Sequence, residues 1–86
     1  MSAKEMFEKL GYKQKNIDNV IYYFKEIHIP NRFGGSMFYH INFILKDKEI
    51  FISKNLKKEE LQAINKQVEE LGWNNEWWTK RNIKWI

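Results

Sequence analysis

Two stretches of this chain place apolar residues three and four apart, and the stretch between them alternates. Those periods predict two helices around a β-sheet. At the start, "SAKEMFEKLGY" sets Ala3, Met6, Phe7 and Leu10 on one stripe. Ser2 precedes the stripe and Glu5 follows three residues later, the pattern of a capping box. Gly11 supplies the left-handed residue that ends a helix, and Tyr12 is placed to fold back on its last turn. A helix over residues 3–10 is predicted. Near the other end, "EELQAINKQVEELGW" aligns Leu61, Ile64, Val68 and Leu71. Ala63 and Gln67 flank that stripe, and Glu59, Glu60, Gln62, Lys66, Glu69 and Glu70 are assigned to the wet side. Gly72 and Trp73 repeat the device of Gly11 and Tyr12, so Trp73 is expected to cap.

Between the helices, "NVIYYFKEIHI" is dense in β-branched and aromatic residues and reads as a strand. "NRFGGS" after Pro30 reads as a loop. "MFYHINFIL" puts Tyr39, Ile41, Phe43 and Leu45 on one face. "KDKEIFIS" turns at Asp47-Lys48 and yields a third strand with Ile50 and Ile52. With those two residues as the whole loop, Phe43 faces Ile52 and Leu45 faces Ile50. The predicted architecture is α+β: an α-β-β-β-α order, an antiparallel three-stranded meander, and both helices on one sheet face. The expected core is Met6, Phe7, Leu10, Ile21, Tyr23, Tyr39, Ile41, Phe43, Ile50, Ile52, Leu61, Ile64, Val68 and Leu71.

The 86 residues suit a single domain, 1–86, with a tryptophan-rich tail at 73–86. At 43% hydrophobic and 16% aromatic, the chain has the material for a core. It has no cysteine, which excludes disulfides and thiolate metal sites. No apolar run is long enough to span a membrane, and "MSAKEMFEKL" has no signal-peptide core. A cytoplasmic protein with no membrane role is expected.

The net charge of +4 invites a nucleic-acid reading. The charge is spread along the chain, however, and only Arg32 and Arg81 among the 15 cations are arginine. Arginine is the usual base-reading residue.

"AKEMFEKLGY" and "ELQAINKQVEELGW" resemble a family of short uncharacterised proteins from phages and prophages of Gram-positive, AT-rich bacteria. The two motifs cover roughly a quarter to a third of the chain. The resemblance implies no activity. The middle strands and the tail "NNEWWTKRNIKWI" are not part of it, and Lys57 stands where the family pattern has Ser or Thr.

Candidate chemistry is sparse. His28 and His40 flank the first strand loop; if residues 32–36 form that loop, the two face each other, with Glu26 the nearest acid. Two histidines without a third ligand do not define a zinc site, so no metal and no cofactor are expected. No nucleophile elbow, P-loop or dinucleotide fingerprint occurs. "FGGS" joins strands instead of opening a helix and so has no phosphate cradle. The chain reads as a non-enzyme.

The tail holds all four tryptophans: Trp73, Trp77, Trp78 and Trp85. In one reading these rings are structural, covering the second sheet face or adding a strand through Ile83, Trp85 and Ile86. Burying one large aromatic stabilises by roughly 1.5–3 kcal/mol. In the other, Trp77, Trp78, Lys80, Arg81 and Lys84 form a binding surface. Tyr22, Phe24, Phe38 and Phe51, on the sheet face away from the core, would extend it. The leading expectation is a protein partner docked on an aromatic and arginine hot spot. The alternative is sequence-tolerant binding of single-stranded DNA or RNA, with rings on bases and cations on phosphates. A monomer and a homodimer both fit the sequence.

Overall fold

The computed structural model describes residues 1–28, 34–53 and 55–73, and the backbone of 83–85. It is the α+β arrangement that the periods predict. Helix α1 (Ala3–Lys9) is followed by strands β1 (Lys13–Ile17), β2 (Val20–His28), β3 (Ser36–Ile44) and β4 (Glu49–Ile52). Helix α2 (Lys58–Leu71) and a short strand β5 (Ile83–Trp85) complete the order. The sheet runs β1-β2-β3-β4-β5, antiparallel throughout except for the parallel β4–β5 pair.

Both helix ends carry the devices written in the sequence. Ser2 Oγ accepts from the Glu5 amide at 3.2 Å, and the Ser2 amide donates to Glu5 Oε1 at 3.1 Å. Those bonds hold the Glu5 carboxyl below the usual carboxylate range. Gly11 takes φ +94°, and the Tyr12 amide turns back to the Phe7 carbonyl at 3.0 Å. Gly72 takes φ +72°, and the Trp73 amide reaches the Val68 carbonyl at 3.0 Å. The Trp73 ring then lies 6.2 Å from the Phe43 ring, so Trp73 closes the core as a cap residue should.

The core sits between the helices and one sheet face. Phe7 is its centre. Its ring stacks on Tyr23 at 3.8 Å and meets Tyr12 and Phe43 edge-on at 5.6 and 6.4 Å. Ile41, Ile50, Ile52, Ala63, Ile64 and Val68 close around these rings. The two helices are also tied directly: the Ala3 amide donates to Glu70 Oε2 at 2.9 Å. That bond satisfies one of the donors a helix start leaves free.

Four expectations need correction. First, the sheet has an extra strand, β1, ahead of the expected three. Its sequence, Lys13–Ile17, is almost wholly polar because an edge strand exposed on both faces needs no alternation. Ile17 pairs with Val20, so Asp18-Asn19 is a two-residue hairpin loop, with Asp18 at φ +50°. Aspartate tolerates that left-handed region better than most residues.

Second, the β3–β4 register differs. Phe43 pairs with Ile50 and Ile41 with Ile52. Residues 45–48 form a four-residue loop with Lys48 at φ +54°. The Leu45 amide donates to the Asn19 carbonyl at 2.8 Å, which carries the β2–β3 ladder one residue past Ile44. The slip is two residues, so every side chain keeps its expected face.

Third, the buried stripe of α2 is rotated. Leu61 is 38% exposed, while Glu60, Ala63, Ile64, Gln67 and Val68 face inward. Two tyrosines account for the polar members. Tyr12 Oη donates to Glu60 Oε2 at 2.5 Å, and Tyr23 Oη donates to Gln67 Oε1 at 2.5 Å. Gln14 Nε2 donates to Tyr23 Oη at 2.8 Å, tying β1 into the same network. Glu60 Oε1 also accepts from the Lys57 amide at 2.9 Å. The start of α2 is thus capped from inside by its own third residue, Glu60.

Fourth, His28 and His40 do not face each other. His28 pairs with Ser36, and His40 pairs with Phe24, four positions away. At the rise of an antiparallel strand that is roughly 13 Å.

The tyrosines give the fold a pH limit. Burial, reinforced by the Glu60 bond, raises the Tyr12 phenol well above its ordinary value. Burial, together with the Glu70 and Glu8 charges, pushes Tyr23 up to about 12 against the lowering effect of Gln14. The unfolded chain therefore releases these protons first, near the ordinary phenol pKa of about 10. The stability the pair contributes is complete below that pH and falls as pH rises through the folded values. Urea midpoints are expected to drop steeply between about pH 10 and 12, and the Tyr23→Phe variant to show a shallower drop.

Candidate functional site

With both helices on one face, the other face of the sheet is left to side chains of alternate parity. Strand β1 contributes Lys13, Lys15 and Ile17. Strand β2 contributes Tyr22, Phe24 and Glu26; β3 contributes Phe38, His40 and Asn42; β4 contributes Glu49 and Phe51. The register ranks them across the strands as Lys15–Tyr22–Asn42–Phe51 and Lys13–Phe24–His40, with Glu26 beside Phe38.

These residues form an open groove. It measures about 360 Å³ and is lined by Lys15, Ile17, Tyr22, Phe24, Phe38 and His40. Phe38 is 46% exposed and Ile17 43%, so large apolar surface meets solvent here. The Phe24 and Phe38 rings lie 6.4 Å apart, and Phe38 and His40 lie 6.3 Å apart, so the aromatic floor is continuous. A smaller hollow of about 170 Å³ adjoins it, lined by Gly11, Lys13, Phe24, Glu26 and Phe38. Ser53 fixes the backbone beneath His40: its Oγ accepts from the His40 amide at 2.7 Å.

Asn42 lies next to the groove, between Tyr22 and Phe51. Its Oδ1 is buried with no donor among the described residues. An unmatched buried acceptor costs about 1–3 kcal/mol. The Asn42→Val variant is expected to raise stability by about 1 kcal/mol in urea unfolding, since valine also suits a strand.

The site expected from sequence was in the tail. Trp77, Trp78, Lys80 and Arg81 lie outside the described residues. Lys84 falls in β5, where its backbone pairs with Phe51 of β4. The expected cover of the second face by the tail also falls outside the described residues. The aromatic sheet residues Tyr22, Phe24, Phe38 and Phe51 are where the alternation put them. Sequence reasoning missed Lys13, Lys15 and Ile17, which belong to the unforeseen strand; the Asp18-Asn19 dipeptide was the signal for that hairpin. Among the described residues, no three of His, Asp and Glu gather to hold a metal, and no helix is long and apolar enough to cross a membrane.

The chain matches no protein-family model, no curated protein and no solved structure.

Proposed function

We propose that this chain is a non-enzymatic binding module whose open sheet face docks a protein partner. The role is that of a cytoplasmic accessory protein, of the phage or prophage kind that its terminal motifs resemble. The observation that supports it is the apolar groove between β1, β2 and β3, with Phe38 and Ile17 nearly half exposed. Exposed aromatic side chains on a rigid sheet are the usual anchors of a protein interface. The charges on this face are mixed: Lys13 and Lys15 are offset by Glu26 and Glu49. A mixed rim around an apolar centre is the anatomy of a protein-docking site more than of a phosphate track.

One observation favours a second reading. Tyr22, Phe24 and Phe38 sit on neighbouring strands beside two lysines, an arrangement on which single-stranded bases can stack. Salt separates the two. Photo-cross-linking from position 38 in a cell extract should yield one protein adduct that unmodified protein competes away. The Phe38→Ala variant should weaken binding of that partner at least about tenfold, as loss of an anchor does, with folding unchanged. Binding of oligo(dT) that collapses between about 50 and 200 mM salt, with no protein adduct, would replace this reading by the second.

A further inference from the structure

Strand β1 is the outer strand of the sheet and, among the described residues, its backbone pairs only with β2. Lys13, Lys15, Asn16 and Ile17 are exposed, so no described residue covers this edge. Neither Lys13 nor Lys15 has an acidic partner among the described residues. Lys15 and Ile17 also form the β1 side of the apolar groove, so the groove opens towards the same edge.

An open edge presents a row of unpaired amides and carbonyls to any extended chain. A strand added beyond β1 would lie about 4.8 Å out. Its alternate side chains would stand opposite Lys13, Lys15 and Ile17 and lean over the groove. Two lysines and one isoleucine on one face specify that added strand: acidic, acidic and apolar at every second position. Opposite charges directly across a ladder attract, and like charges there repel.

We infer that the partner is an extended protein segment that adds to β1 as a further strand, with acidic residues opposite Lys13 and Lys15 and an apolar residue opposite Ile17. The inference rests on the docking-face reading and names how that face is engaged. Main-chain pairing supplies attachment, and the alternate side chains supply choice of partner. A second copy of this chain does not fit. Two β1 edges paired about their centres would set Lys15 against the copy's Lys15, between molecules that each carry a net charge of +4.

The test uses the full chain, labelled with nitrogen-15, and a blocked peptide with the central sequence Ile-Thr-Glu-Thr-Glu. In antiparallel addition its isoleucine lies opposite Ile17 and its two glutamates opposite Lys15 and Lys13. Amide signals from Lys13 to Ile17 should shift, and their hydrogen exchange should slow. The exposed Lys15→Glu variant should keep its melting temperature. It should bind this peptide at least about tenfold more weakly, and bind the same peptide with lysines for glutamates more tightly. Shifts confined to Tyr22, Phe24 and Phe38, with β1 amides untouched, would overturn strand addition and leave the docking face standing. No shift on either would overturn both. Slowed β1 exchange in a peptide-free dimer, or oligo(dT) displacing the peptide from the same amides, would also refute an acidic partner strand.

Discussion

The Phe7→Ala variant is expected to lose about 3–5 kcal/mol, the usual cost of deleting a buried phenylalanine. Phe7 is fully buried and in contact with three other rings, so little can collapse into the space it leaves. Domains of this size hold about 5–15 kcal/mol in all, so a large share of the stability should go. The melting temperature should fall by about 15 °C or more, if a cooperative transition survives at all. The effect should exceed that of Leu61→Ala, although sequence periodicity ranks both as core. Leu61 is 38% exposed, and its truncation should cost under about 1 kcal/mol. Thermal melts of the two variants side by side check the rotated stripe of α2 directly.

The second large effect is expected at Glu60, a residue the helical wheel places in water. Glu60 is 4% exposed and accepts from both the Tyr12 hydroxyl and the Lys57 amide. Glu60→Ala strands the buried Tyr12 hydroxyl and removes the cap of α2. Its expected cost is about 2–3 kcal/mol, from one buried polar group left unmet and one lost cap. Tyr12→Phe removes only one of the two bonds and should cost less. If the pair acts as a unit, the double variant is less unstable than the two single losses combined, with a coupling of about 1 kcal/mol or more. Additive losses in urea titrations would show that the Tyr12–Glu60 contact contributes nothing of its own.

These two residues also mark how far the fold was legible in the sequence. Phe7 was readable because a helical stripe and an alternating strand each declare an apolar face, and the faces have one way to meet. The caps were readable because Ser2, Gly11 and Gly72 act through their neighbours in the chain. Glu60 and Gln67 were not. Their burial depends on Tyr12 and Tyr23, 48 and 44 residues away, and no local pattern pairs a carboxylate with a distant phenol. Strand β1 escaped for a related reason. It carries few apolar residues because neither of its faces is buried, so the signal that reveals other strands is missing.

The candidate site was half legible. Alternation placed Tyr22, Phe24, Phe38 and Phe51 on the face away from the helices, and the structure keeps them there. The concentration of tryptophan drew attention to the tail instead, yet the one described tryptophan side chain, Trp73, packs as a helix cap against Phe43. The groove itself needed β1, since Lys15 and Ile17 form one of its walls. A surface assembled from three strands is written in no single stretch of the chain.

Among the described residues, one sheet face is held under the helices while Phe38 and Ile17 on the other meet solvent, and the proposed docking requires that this second face be accessible. The absence of native cysteine permits a direct measurement: labelling rates of single-cysteine variants in the folded protein. Phe38→Cys should react nearly as fast as a free thiol peptide, and Val68→Cys only as fast as the protein unfolds. Slow labelling at position 38, matching that at position 68, would mean the face is covered, and the proposed docking surface would not exist.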